Sequence, residues 1–189
     1  MTIAVRRATP EDARAIAAVR IDSWRATYRG LIPDAYLDAM QLDESIALWN
    51  RVLSAATNTA SVFVAEHEGD VIAFAAGNML PERRFELDAE LSAVYVRREF
   101  QRAGIGRRLV AAVARAEREH GARGVIAWVI AGNKLARAFY EQLGGALLVE
   151  QPFEWDGMPL VEAGYGFADI DALIDDAAKM PVPSGSIVH

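Results

Sequence analysis

The stretch ELSAVYVRREFQRAGIGRRL, Glu90 to Leu109, decides the fold. It opens as a strand ending Val94-Tyr95-Val96, passes through a polar loop from Arg97 to Gly106, and continues with Ile105, Leu109, Val113 and Ala116 on one helix face. A strand that hands a glycine loop to a helix start makes an anion site. The first amides of a helix have no intrahelical partner and point outward with the positive end of the dipole. Gly104 and Gly106 let an anion approach the backbone. Five arginines, Arg97, Arg98, Arg102, Arg107 and Arg108, stand against Glu99, so the segment carries +4 inside a chain of net charge -6. A polyanionic ligand fits here; a surface loop with solvated arginines is the plainer alternative. Two other phosphate loops fit worse. A dinucleotide fingerprint needs a small residue where Leu109 stands, and a P-loop needs Gly-Lys-Ser/Thr, which is absent.

Downstream of this stretch, Gly121 ends the helix and Val125 to Ile130 is a nearly all-apolar run, as expected of an internal strand covered on both faces. Asn133 to Leu143 reads as a helix closed by Gly144-Gly145. Ala146 to Phe153 and Leu160 to Phe167 flank Trp155-Asp156-Gly157-Met158, a strong hairpin signal. Upstream, Ser61 to Glu66 and Val71 to Met79 form a hairpin around His67 to Asp70, with Pro81 to Leu87 a polar loop before the strand at Glu90. The N-terminal part is mainly helical after a short strand, Ile3 to Arg7. Thr9-Pro10-Glu11-Asp12 starts a helix that runs through Ile16 and Val19 towards Trp24. A helical elbow through Gly30 and Pro33 leads to Asp34–Met40, and Leu42, Ile46, Trp49 and Leu53 mark another helix with Asp43 as its cap. Asp169 to Lys179 reads as a short acidic helix, and 181–186 as a mobile tail.

The chain has 189 residues, 52% hydrophobic and 24% charged, enough for one domain with a real core over 1–168, followed by the helix and tail of 169–189. The absence of cysteine excludes disulfides, thiolate metal sites and a cysteine nucleophile. The acidic balance argues against nucleic acid and anionic membrane as partners. The apolar runs are far short of the roughly 20 residues of a membrane helix, and no signal-peptide pattern opens the chain, so a cytoplasmic protein is expected. His67, His120 and His189 are scattered, and no metal is expected.

Gln101, Gly104 and Gly106 match the signature Gln/Arg, two residues, Gly, one residue, Gly/Ala, and in this the chain resembles the GNAT superfamily of N-acetyltransferases. The likeness extends to the strand ending Val94-Tyr95-Val96, to Asn133, and to Ala138-Phe139-Tyr140-Glu141-Gln142-Leu143-Gly144, with a matching element order over about Ile3 to Phe167. It implies an α/β fold with a mixed, mostly antiparallel central sheet of about seven strands flanked by helices. It also implies acetyl-CoA as co-substrate, its pyrophosphate on the amides of Arg102, Ala103, Gly104, Ile105, Gly106 and Arg107 and its pantetheine beside Val94, Tyr95 and Val96. By the same resemblance Asn133 hydrogen-bonds the cofactor and Tyr140, seven residues on along one helix face, aims its hydroxyl at the thioester sulfur. Alone, Asn133 reads as an N-cap and Tyr140 as a core aromatic; beside the loop both read as site residues.

An alkyl amine with a pKa around 10 is protonated at neutral pH and attacks only after losing a proton, so a base or a water relay is required. The family often places a Glu where Glu90 stands, with Asp88 a neighbouring substitute. Trp24, Tyr28 and Tyr36 fall in the elbow that lines the acceptor side in the family, where the acceptor is a small-molecule or protein amine. The expected reaction is acetyl transfer to a primary amine by direct attack in a ternary complex. The rival from another class is a catalytically silent acyl-CoA-binding module, and a variant of the enzyme reading takes a longer acyl chain. A homodimer through the C-terminal strands, with Trp155 and Met158 in the hairpin, is also expected from the family.

Overall fold

Arg6, Asp12 and Glu66 show how the N-terminal third is tied to the sheet in the computed structural model, which describes residues 2–55 and 60–179. Strand β1 (Ala4–Arg7) runs antiparallel to β2 (Ala60–His67), and a 3-10 turn at Pro10–Asp12 enters α1 (Ala13–Tyr28). The Asp12 carboxylate accepts from the Thr9 N–H at 2.8 Å and from Arg6 at 2.7 and 2.8 Å, while Arg6 also donates to Glu66 at 2.6 Å. Helices α2 (Asp34–Ala39) and α3 (Leu42–Ser54) complete the elbow. Gln41, not Asp43, is the N-cap of α3; Asp43 lies inside the first turn, where a carboxylate meets the positive end of the helix dipole.

Seven strands form one mixed sheet in the order β1-β2-β3-β4-β5-β7-β6, where β3 is Asp70–Arg84, β4 Leu87–Val96, β5 Val125–Ile130, β6 Ala146–Trp155 and β7 Met158–Phe167. The expected polar loop at Pro81 to Leu87 is instead a hairpin continuation. β3 runs on to Arg84, and Phe85 and Glu86, both with positive φ, turn directly into β4. Glu82, Arg83 and Arg84 are polar because this ribbon is solvent-exposed, which composition alone does not distinguish from a loop.

Helices α4 (Ile105–Glu119), α5 (Lys134–Gln142) and α6 (Ile170–Ala178) lie towards one sheet face, with Ile105, Leu109, Val113, Leu173 and Ile174 in its core. The other core packs Ile16, Val19, Trp49 and Phe74 between α1, α3 and the sheet. The Asp169 side chain caps α6 through the N–H groups of Asp171 and Ala172. The expected tail at 181–186 lies outside the described residues. Among the described residues no helix is long and apolar enough to cross a membrane.

One irregularity positions everything functional. β4 and β5 pair in parallel only from Ala89 to Leu91 against Val125 to Ala127. Beyond Leu91, β4 stays with β3 and β5 stays with β7, so the two strands part. The register between β3 and β4 shifts at Ala76/Gly77, leaving Ser92 as an extra residue whose hydroxyl donates to the Ala76 carbonyl at 3.1 Å. A bulge bends its strand and raises the local twist, which is the physical reason β4 swings away here.

Candidate active site

The loop between β4 and α4 is built by left-handed backbone. Gly104, the N-cap of α4, has φ 76°, and Arg102 has φ 64°. Gln101 donates from Nε2 to the Val96 carbonyl at 3.1 Å, closing the loop against the end of the strand. The helix therefore starts abruptly with its first amides turned outward, beside the unpaired edge of Val94, Tyr95 and Val96. At Gly106 an added Cβ would lie 3.3 Å from the Phe139 ring, so this glycine lets α5 close on the loop. These features fit a pyrophosphate on the amides from Arg102 to Arg107 and an extended pantetheine along β4.

The arginine count of the loop overstates its free charge. Arg107 donates to the carbonyls of Asp176 and Gln142 at 2.9 and 3.2 Å, and Arg108 donates to the Ile3 carbonyl at 2.9 Å. Arg107 is thus available to a cofactor through its backbone while its side chain braces the ends of α5 and α6. Tyr95 differs from expectation in the same sense: its backbone lies on the cofactor strand, but its ring crosses to the opposite sheet face and its hydroxyl accepts from Trp24 Nε1 at 2.8 Å.

The two faces communicate through the gap between β4 and β5. Tyr140 belongs to the core under α4, packed against Phe139, Tyr165 and Phe167 with ring centroids 5.5 to 6.4 Å away. Tyr28 belongs to the cluster with Trp24, Ile32 and Leu37 on the other face. Burial raises the pKa of Tyr140 far above the ordinary phenol value, and Tyr28 raises it further. Burial likewise raises Tyr95, with Tyr28 and Tyr140 both adding to the shift. Tyr28 is raised by burial against the opposing hydrogen bonds of Asn133 and Tyr95. Tyr28 therefore shares hydrogen bonds with Asn133 and Tyr95, and Tyr140 approaches them from the other face closely enough for its charge to be felt. Asn133 is at once an N-cap, accepting from the Ala136 N–H at 3.1 Å, and a partner of Tyr28.

The two carboxylates near the start of β4 separate cleanly. Burial pushes the Asp88 carboxyl up, but the N–H groups of Gly124 and Arg123, at 3.1 and 2.8 Å, and nearby Arg83 outweigh it and hold Asp88 below its usual value. Asp88 is a clamp between β4 and the start of β5. Glu90 sits at the apex of the gap, half-buried, its pKa raised by burial, lowered by Arg84 and raised again by Glu162. A carboxylate in that state is the better proton acceptor of the two.

Trp24 stacks edge-on to Tyr28 at 5.0 Å and lies 5.4 Å from Trp155. Trp155 in turn donates to the Tyr36 hydroxyl at 2.9 Å, and Met158 packs on the same cluster. The hairpin residues expected at a dimer surface thus also make contacts within the chain, where they close the outer side of the Trp24–Tyr28 cluster. A cleft lined by Arg20, Tyr36, Met40, Ser45 and Asp156 adjoins this side. The sequence places Trp155 in a hairpin but not against Trp24 and Tyr36, because that contact joins segments far apart in the chain. Among the described residues no group of three His, Asp or Glu side chains is placed to hold a metal ion.

Comparison with known proteins agrees with this geometry. Residues 19–145 match the model of the Acetyltransferase (GNAT) family. The chain is 36% identical over 172 residues to the uncharacterized N-acetyltransferase YuaI of Bacillus subtilis, covering 90% of this chain and 96% of the relative. It is 32% identical over 146 residues to the probable N-acetyltransferase Rv2775 of Mycobacterium tuberculosis, covering 74% and 78%. A similar fold occurs in the PaiA N-acetyltransferase of Thermoplasma acidophilum, solved in complex with coenzyme A, with TM-score 0.68, 21% identity and coverage of 86% and 98%. It also occurs in yncA of Salmonella typhimurium, solved with acetyl-CoA, with TM-score 0.64, 20% identity and coverage of 89% and 95%.

Proposed function

Because this chain belongs to the Acetyltransferase (GNAT) family, an acyl-CoA-dependent group of enzymes, we propose that it moves the acetyl group of acetyl-CoA to a primary amine by direct attack in a ternary complex. The observation that carries the reading is the left-handed loop at Gly104, which starts α4 beside the unpaired edge of Val94 to Val96 where β4 and β5 part.

The α4 amides from Arg102 to Arg107 hold the pyrophosphate, and the free edge of Val94 to Val96 holds the pantetheine. Acetyl-CoA, when bound, supplies the acetyl group as a thioester, so a C–N bond forms to the amine as the C–S bond breaks. Glu90 takes the ammonium proton, directly or through one water, and passes it to solvent. A backbone N–H near Val96 steadies the carbonyl oxygen as it gains charge. Tyr140, a phenol whose pKa burial raises still further, is protonated at neutral pH and gives that proton to the sulfur as the C–S bond breaks. The phenol is restored by the second proton lost from the amine nitrogen, so one proton is released per turnover. Trp24 and Tyr28 line the acceptor side. A second copy of the chain pairing along the open edge of β6, where Leu147 and Leu148 are exposed, belongs to the same reading. A monomeric mass in light scattering removes that pairing.

Calorimetric titration with acetyl-CoA and with free CoA, followed by thiol release over a panel of amines, tests the reading. Saturable binding with amine-dependent release is expected. Binding without release on any amine favours a silent acyl-CoA-binding module, and no binding overturns the assignment of the loop.

A further inference from the structure

On the acceptor face of the sheet, strand register brings together three side chains that the sequence keeps far apart. Glu90 on β4 is paired with Ile126, Trp128 on β5 with Gly164, and Glu162 on β7 with Ile130. Residues 126, 128 and 130 share one face of β5, so Glu90, Trp128 and Glu162 lie along one diagonal, with the indole in the middle. This face is opposite the one carrying Ile105 and Leu109 of α4, and it is continuous with the wall of Trp24, Tyr28 and Trp155.

The indole already holds a cation. From the exposed tip of the β3–β4 hairpin, Arg84 reaches across so that its guanidinium carbon lies 4.7 Å from the centre of the Trp128 ring, with Phe85 6.5 Å away on the same ring. Trp128 Nε1 is buried with no hydrogen-bond partner among the described residues. Among the described residues the carboxylates on either side make no ion pair, and Arg84 acts on Glu90 only from a distance. Asp12, Glu66 and Glu150 are each paired with an arginine at 2.6 or 2.7 Å, whereas neither Glu90 nor Glu162 has an ion-pair partner among the described residues. Glu162 is held only by the neutral amide of Gln151 at 2.8 Å. Two acids flanking an aromatic face with a single loosely anchored guanidinium leave an excess of negative charge, and a π face beside it attracts cations.

We infer that the acceptor is dicationic: besides the amine that is acetylated it carries a second ammonium or guanidinium group, which seats on Trp128 beside Glu162 and displaces Arg84. The inference rests on the acetyltransferase reading for the identity of the face, and deepens it by naming the acceptor class. Arg84 is then a resident competitor for the cation seat, carried on the exposed tip of the β3–β4 hairpin. The opposite reading, an acceptor whose carboxylate is gripped by Arg84, has to place an anion against Glu90 and Glu162, where like charges repel.

Three acceptors of equal reach separate these readings: 1,5-diaminopentane, 1-aminopentane and 6-aminohexanoate. The diamine is expected to exceed the monoamine in kcat/KM by about tenfold, and the amino acid to be the poorest. E162Q should bring the diamine-to-monoamine ratio down several-fold, and R84Q should lower KM for the diamine. Equal kcat/KM for diamine and monoamine, a ratio untouched by E162Q, or a preference for 6-aminohexanoate lost in R84Q each overturns the inference. Calorimetry of the diamine and the monoamine against the wild-type protein saturated with CoA reads the seat without turnover. Tighter diamine binding with no turnover of any amine supports the seat and sinks the acetyltransferase reading, whereas equal binding sinks the seat itself.

Discussion

Burial raises the pKa of both Tyr140 and Glu90, because in each the charged form is an anion, and the same shift makes one a proton donor and the other a proton acceptor. For a phenol, a raised pKa keeps the proton on, so Tyr140 meets the departing sulfur as a neutral donor and gives up its proton only in step with C–S cleavage and with its own reprotonation by the amine nitrogen. Y140F removes that proton and leaves the ring packed against Tyr165 and Phe167, so kcat should fall on the order of 10²-fold while the affinity for CoA, read by calorimetry, stays within about twofold. For the Glu90 carboxyl, a raised pKa means that the fold prefers the neutral form. Ionising it therefore costs stability, progressively as pH rises from the ordinary carboxylate range through the raised folded value. E90Q should be at least as stable as the parent in urea melts at pH 8 and lose that advantage near pH 4. Its acetylation rate should be reduced at pH 7 and recover as pH rises, because the amine then sheds its proton without help. A pH–rate profile identical to the parent's removes Glu90 as the base. Asn133 and Tyr140 were singled out through the family resemblance of the loop and of 138–144, with which their seven-residue spacing along one helix face agrees. Glu162, Trp128 and Arg84 were not, since each reaches the face through pairing between strands distant in sequence.

At the scale of elements, the loop between β4 and α4 was legible and the parting of the strands was not. A glycine at a helix start carries its own signal, whereas the bulge at Ser92 is a register shift with no mark in the local pattern. Pro81 to Leu87 shows the complementary limit: an exposed ribbon is polar along its whole length, so the pleated pattern of one buried face disappears. Gly104 is the position where the loop's local rule can be tested. With φ 76° it occupies the left-handed region, where an L side chain costs about 1 kcal/mol. G104A is expected to lower stability by about that amount and, because the outward amides of α4 follow from this turn, to weaken CoA binding by about tenfold. Unaltered CoA affinity in a folded G104A protein shows that the loop holds its cofactor by side chains.

Across the whole molecule, the site depends on a sheet whose β1 edge and whose α1–α3 layer meet at one ion cluster. Arg6 from β1 donates to Asp12 at the entry to α1 at 2.7 and 2.8 Å and to Glu66 from β2 at 2.6 Å, and the Asp12 side chain is only 8% exposed. The core formed by Ile16, Val19, Trp49 and Phe74 lies directly inside this cluster, and α1 continues from it to Trp24 and Tyr28. Arg6 lowers the Asp12 pKa more than burial raises it, and the Thr9 N–H lowers it further. A carboxyl whose folded pKa is depressed contributes stability above its unfolded value and loses it as pH falls through the folded one. D12N keeps the shape and removes the charge, so it should cost about 1.5 to 3 kcal/mol at pH 7, the range for hydrogen bonds to a charged group. For a domain of this size that corresponds to a drop in Tm of roughly 2–4 °C per kcal/mol. The difference between D12N and parent should shrink as both are melted at successively lower pH, from the ordinary Asp range downward, because protonation does to the parent what the substitution has already done. A difference that stays constant down to pH 2 assigns the loss to the altered packing of the turn rather than to the Arg6 pair.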